Sequence, residues 1–228
     1  MSIENILLKL TFIPEDLPIH SIANEGAVPP ARLNAAWLRQ RVSEPPVWTP
    51  ETTDEHLLAT MSSFKAASVL IPLVLRDEGL SLLLTHRAAH LNNHAGQISF
   101  PGGRFEATDG SNIETALREA QEEIGLDRQH VDVIGMLPQY RTATGYDVTP
   151  VIALIQPPFS LKPDPFEVAS IFEVPLSFLM DAKNHQRRSL ALPNGAGIRT
   201  FYAMPYQEHF IWGATAGMLR NLFHLMRA

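Results

Sequence analysis

The sequence contains no cysteine, which excludes disulfides, thiolate catalysis and any cysteine-ligated zinc site. Positive charge is also scarce: Lys+Arg 18 against Asp+Glu 24 gives a net charge of -6. Nucleic-acid binders usually carry a basic excess or a basic stripe, so no nucleic-acid partner is expected. A polyanionic ligand would need a local cluster of basic groups or metal ions to hold it. No apolar run approaches the length of a membrane span. The start, Met1-Ser2-Ile3-Glu4-Asn5-Ile6, lacks the basic residues of a secretory signal. A cytoplasmic protein with no membrane partner is the expectation. Low-complexity tracts and internal repeats are missing too, and a 45% apolar composition over 228 residues leaves room for one substantial globular domain.

What is present falls into two textures. Residues 1–65 form an irregular preface broken by Pro14, Pro18, Pro29, Pro30, Pro45, Pro46 and Pro50. A short helix is expected over 31–42, and the preface is expected to pack on the main domain or to mediate homodimer contacts. Residues 66–228 read as the main domain. Apolar runs at 68–75 and 80–85 flank a turn at 76–79 and predict a hairpin. Further strands are expected at 97–100, 131–137, 148–155 and 171–174, with helices at 112–124 and 215–226. This irregular mixture predicts an α+β fold, a mixed β-sheet flanked by helices.

The helix at 112–124 carries the chemistry. Ser111 and Glu114 have capping-box spacing, and Gly125 is placed to end the helix. At about 100° per residue, Ile113, Leu117, Ala120 and Ile124 fall within an arc of roughly 60°, the expected buried stripe. Glu119, Glu122 and Glu123 fall on another side, within about 100° of one another. Spacings of three and four bring their carboxylates together, and Arg118 reaches Glu122 but cannot satisfy all three. Such a face is either simply solvated or suited to a hard divalent cation, which takes oxygen ligands. Upstream, Pro101-Gly102-Gly103 offers a tight turn where backbone can approach a metal or a phosphate.

Gly103 followed by Arg118-Glu119-Ala120-Gln121-Glu122-Glu123-Ile124-Gly125-Leu126 resembles the Nudix box, the signature of pyrophosphohydrolases acting on nucleoside diphosphates linked to another moiety. The resemblance implies the Nudix fold, a mixed sheet sandwiched between helices. It implies Mg²⁺ or Mn²⁺ held by Glu119, Glu122 and Glu123, with Gly103 as a further metal contact and Arg118 as the buttress of the glutamates. Two features depart from the pattern: Asp109 stands where the family usually has glutamate, and the interval from Gly103 to Arg118 is one residue longer. A one-residue insertion before Ser111 accounts for both.

A second stretch, Leu83-Leu84-Thr85-His86-Arg87-Ala88 with Gly96 and Phe100-Pro101-Gly102-Gly103, is similar to the motif preceding the box in coenzyme A pyrophosphatases. That subgroup carries arginine where this chain has Asn92. The similarity implies a small-molecule nucleotide substrate of coenzyme A type, split to phosphopantetheine and adenosine 3′,5′-bisphosphate. Arg87, Arg104, Gly102 and Gly103 are the expected substrate contacts, since polyanion recognition needs such donors. The metal would offset the diphosphate charge and lower the pKa of a bound water. One of the three glutamates, or Glu167 from the loop 163–168, would act as general base. His86, His90 and His94 recur every four residues, but no acid interleaves them, so they read as loop or surface residues rather than a zinc site. The rival substrates are ADP-ribose, NADH and a dinucleoside polyphosphate. The rival classes are a catalytically silent nucleotide-binding regulator and a structural partner protein.

Overall fold

The computed structural model describes residues 12–53, 58, 63–91, 95–192 and 197–228. Near its start, Ile19–Ile22 forms β1, and Asn34 caps α1 (Ala35–Ser43) by accepting from the Trp37 N–H. The expected hairpin follows as β2 (Lys65–Arg76) and β3 (Gly79–Arg87), paired antiparallel from Leu73–Leu82 to Arg76–Gly79. Short strands β4 (Ile98–Ser99) and β5 (Gly102–Arg104) lead into α2 (Asn112–Ile124). Beyond it lie β6 (Val131–Met136), β7 (Tyr140–Arg141), β8 (Tyr146–Ile155), β9 (Val168–Pro175) and the one-turn α3 (Leu176–Leu179). The last elements are β10 (Gln186–Ala191), β11 (Ile198–Tyr206), β12 (His209–Trp212) and α4 (Gly213–Arg227).

The main sheet runs β4-β3-β2-β8-β6, with β5 on β2, β7 on β8 and β9 on β3. Its central pair, β2 and β8, is parallel from Lys65–Tyr146 to Val74–Ile155, and the other pairs are antiparallel. This is the expected mixed sheet. Alternation along β2 sends Leu70 and Val74 to one face, where they pack on Ala116, Ala120 and Ile124 of α2. Ile71 and Leu73 go to the opposite face, among Leu219, Leu222 and Phe223 of α4. Burial of both faces explains why β2 reads as a continuous apolar run rather than an alternating one.

The sequence reading missed a second, antiparallel sheet of order β1-β10-β11-β12. Its strand β10 opens Gln186-Arg187-Arg188-Ser189, which carries no apolar period. Arg188 is nonetheless buried, because its guanidinium donates to the carbonyls of Glu15 and Leu17 and to the side chain of Gln186. The strand expected at 97–100 shrinks to Ile98–Ser99, and Phe100 goes into the core. Among the described residues, no helix is long and apolar enough to cross a membrane.

A buried polar network ties residues 25 and 51 to α4. Arg220 is 3% exposed and pairs with Glu25 at 2.6 Å and Glu51 at 3.4 Å. His185 donates from Nε2 to the Leu179 carbonyl at 2.7 Å, so Nδ1 accepts from Arg220 at 3.1 Å. Burial, reinforced by the Arg220 charge, lowers the His185 pKa to about 4. The unfolded chain takes up this proton below about pH 6.5 while the native imidazole stays neutral, so the His185 contribution is full above 6.5 and is lost as pH falls to 4. Between pH 7 and pH 4 the protein should therefore lose about 3 kcal/mol relative to His185→Gln, in which every other titrating group cancels. Denaturant unfolding of both proteins at the two pH values measures it, and parallel pH profiles would refute it.

Candidate active site

Local chemistry fixes the ends of α2. The Ser111 hydroxyl accepts from the Glu114 N–H at 3.2 Å. Gly125, at φ +66°, returns its N–H to the last turn in the left-handed conformation that glycine adopts freely. The buried stripe differs from the expected one by a rotation: Ala116, Ala120 and Ile124 are buried, while Ile113 and Leu117 are only half-buried. That rotation grades the three glutamates, which do not share one solvated face. The side chain of Glu123 is 3% exposed, that of Glu119 15% and that of Glu122 60%.

Arg118 organises this face. Its Nη1 lies 3.0 Å from Glu119 Oε1 and 2.9 Å from Glu122 Oε2, so one nitrogen spans two acids. The rest of the guanidinium is held from behind, Nε and Nη2 donating to Asp109 at 2.9 and 3.0 Å, with Nη2 also reaching the Arg104 carbonyl at 3.1 Å. Asp109 in turn accepts from the Glu106 N–H and the Thr115 hydroxyl, both at 2.9 Å. The Arg118 hydrogen bonds, with those from Glu106 and Thr115, hold the Asp109 carboxyl well below the usual range. The aspartate that departs from the box pattern is thus the anchor of the box arginine. Sequence reading left its role open; its distance of nine residues from Arg118 spans a loop and two helical turns.

The two glycines act on different glutamates. Gly102 donates its N–H to Glu123 Oε2 at 3.0 Å. Gly103 has the Glu119 carboxylate packed directly on its Cα, in the space a Cβ would fill. On the other side of Glu123, Arg87 Nη1 approaches Oε1 at 3.3 Å, while the buried Arg87 Nε has no hydrogen-bond partner.

The loop before β9 completes the group. Lys162 and Asp164 donate their N–H groups to the Ile124 and Glu123 carbonyls at 2.8 and 2.9 Å, satisfying the orphan acceptors at the end of α2. Asp164 then turns the chain by accepting from the Phe166 N–H, and the Glu167 carbonyl accepts from Ala88. The exposed Glu167 carboxylate is thereby held near enough to act on Glu119 and Glu123. Burial pushes the Glu123 carboxyl up to about 7, and the charges of Glu119 and Glu167 add to this against the Gly102 and Arg87 contacts. Burial likewise raises Glu119, where Arg118 opposes and Glu122 and Glu167 reinforce.

Of the residues singled out from sequence, Arg118, Glu119, Glu122, Glu123, Gly102, Gly103, Arg87 and Glu167 meet around the second half of α2. Arg104 does not join them: its side chain lies on the other face of the sheet, bonded to the Tyr146 hydroxyl. His94 and Asn92 fall outside the described residues.

The donor set suits a hard divalent ion, being all oxygen, with Glu119 and Glu123 raised by burial and by the neighbouring carboxylates, whose charge a cation would offset. Among the described residues, no three acidic or histidine side chains converge into a ready-made cage. Arg118 Nη1 ties Glu119 to the exposed Glu122, while Glu123 is held separately by Gly102 and Arg87, so the acids are adjacent without being gathered.

The NUDIX domain family matches residues 65–192. The chain is 42% identical over 158 residues to an uncharacterized Nudix hydrolase, NudL, of Enterobacter sp. (strain 638), covering 69% of this chain and 81% of that one. It is 43% identical to NudL of Cronobacter sakazakii over the same shares. Among solved structures, a Nudix hydrolase from M. smegmatis, RenU, superposes with a TM-score of 0.43 at 24% identity, over 50% of this chain and 72% of that one.

Proposed function

The chain belongs to the Nudix hydrolase family, and within it we propose a pyrophosphohydrolase that splits the diphosphate of coenzyme A or a derivative into phosphopantetheine and adenosine 3′,5′-bisphosphate. The coarser statement, hydrolysis of a nucleoside-diphosphate derivative, follows from family membership. Nudix hydrolases generally use divalent ions such as Mg²⁺ or Mn²⁺, and here Glu119, Glu122 and Glu123 would hold one, with the backbone of Gly103 beside them. When bound, such an ion offsets diphosphate charge and makes a water more acidic.

The chain's own groups supply the rest. Asp109 immobilises Arg118, and Arg118 keeps Glu119 and Glu122 at a fixed spacing. The Gly102 N–H orients Glu123. Arg87, whose partly exposed guanidinium rests on Glu123 through Nη1, is the candidate charge-assisted donor for a diphosphate oxygen. Glu167, exposed and outside the Arg118 clamp, is the candidate to accept a proton from the attacking water at its carboxylate. The observation that carries this reading is the buried Glu123 carboxylate, held by the Gly102 N–H and Arg87 Nη1 and crowded by Glu119 and Glu167. The coenzyme A assignment rests on the 83–88 and 96–103 motif, whose Arg87 and Gly102 both contact Glu123.

Incubation with coenzyme A, ADP-ribose and NADH, each with Mg²⁺ or Mn²⁺, followed by mass spectrometry, should show phosphopantetheine release that is absent in Glu122→Gln. Cleavage of ADP-ribose or NADH instead would keep the chemistry and discard the substrate. Turnover of none would support a catalytically silent nucleotide-binding regulator.

A further inference from the structure

On the sheet face opposite α2, Arg104 sits across from Ala67, and Lys65, two residues back on β2, sits across from Tyr146. Because side chains alternate along a strand, Lys65, Ala67, Arg104 and Tyr146 share this face. The small Ala67 side chain lets Arg104 cross β2 to the Tyr146 hydroxyl, which Nε and Nη2 reach at 3.0 and 2.6 Å. Accepting two N–H groups occupies the phenol's lone pairs and leaves its own proton to donate. Lys65 is exposed, and among the described residues neither it nor Arg104 has a carboxylate partner. The nearest acid on β8, Asp147, alternates to the other face, where it meets Arg141. Three donors, two of them cationic, therefore share this face without a counter-charge among the described residues, in a chain of net charge -6.

Their place relative to the acids decides what they can hold. Gly103 packs against Glu119 on the α2 face, while the next residue projects from the other face. The strand backbone separates the two sets, so a phosphate among Lys65, Arg104 and Tyr146 is not the one presented to Glu119 and Glu123. Resting on the coenzyme A reading, we propose that Lys65, Arg104 and Tyr146 form an anchor for a second phosphate, a monoester on the ribose of the substrate's nucleoside. The diphosphate lies at the acids, the nucleoside passes over the strand edge at Gly103, and the dianionic monoester takes the three donors. This anchor selects for a nucleotide that carries the monoester over ADP-ribose and NADH, which lack it.

The test compares the affinities of adenosine 3′,5′-bisphosphate and adenosine 5′-monophosphate by calorimetry, with Mg²⁺ present, for the parent, Lys65→Ala and Tyr146→Phe. The parent should bind the bisphosphate at least about tenfold tighter, the worth of one or two charge-assisted hydrogen bonds. In each variant that ratio should fall toward one. Lys65 is exposed and Tyr146→Phe keeps the ring, so neither change threatens the fold. A parent ratio near one, or a ratio that both variants leave intact, overturns the anchor. If coenzyme A is not hydrolysed while the ratio behaves as stated, the substrate reading falls alone and the anchor stands.

Discussion

Glu123→Gln is expected to lower kcat by at least 10²- to 10³-fold and, in the absence of divalent ions, to make the protein more stable. The first effect is that of removing a preorganised charged group from the reacting centre. The second follows from burial: Glu123 sits at 3% exposure with its pKa pushed up to about 7 from 4.5. Above pH 4.5 the unfolded carboxyl has lost its proton while the native one keeps it until about 7. Stability is therefore full below 4.5, falls as pH rises through this range, and stays reduced above it. At about 1.4 kcal/mol per unit the deficit at pH 8 is on the order of 3 kcal/mol. Glutamine keeps the shape and still accepts from the Gly102 N–H, but carries no charge. Thermal melts in EDTA should place the variant on the order of 10 °C above the parent at pH 8, with the two converging at pH 4. Mg²⁺ should raise the parent and not the variant. A variant less stable than the parent at pH 8 would show that the carboxylate is held by favourable contacts, and the crowding argument would fail.

Gly103→Ala should fold and yet lose about 100-fold in kcat/KM, whereas Gly102→Ala should be impaired in folding itself. The difference lies in what a Cβ meets. At Gly103 it meets the Glu119 carboxylate, the far end of a flexible side chain, which can swing away. The fold survives, and the acid leaves the position in which Arg118 holds it; misplacement by about 1 Å costs on that scale. At Gly102 it meets the Ser68 carbonyl and the Val69 backbone on β2, which cannot yield without breaking the β2–β5 pairing. Circular dichroism and melting separate the outcomes, with kinetics on whichever variant folds. An active Gly103→Ala enzyme would mean that Glu119 works from a different position.

These expectations show where the sequence sufficed. The limits of α2 were legible because caps are local: Ser111 and Glu114 lie three residues apart, and Gly125 needs only its own backbone freedom. The hairpin of β2 and β3 was legible for the same reason, and the mixed sheet from the irregular order of strands and helices. The Nudix box places its glutamates by helical period alone. Periodicity gives the angle between side chains on a helix but not the helix's rotation against the sheet. Hence the expected stripe holds Ala120 and Ile124 but not Ala116, and the burial of Glu123 is not legible from spacing.

The second sheet was illegible for a related reason. Arg188 looks like loop composition until the carbonyls of Glu15 and Leu17, some 170 residues earlier in the chain, are brought to its guanidinium. By itself the sequence determined which groups stand on one helix and where that helix begins and ends, and its resemblance to the Nudix box implied the class of reaction. Only the tertiary structure decided that Asp109 anchors Arg118, that Glu123 is desolvated and that Arg104 turns away from the acids to Tyr146. Each of these depends on what distant chain packs against a side chain, and burial, charge and partner are set by that packing rather than by spacing along the sequence.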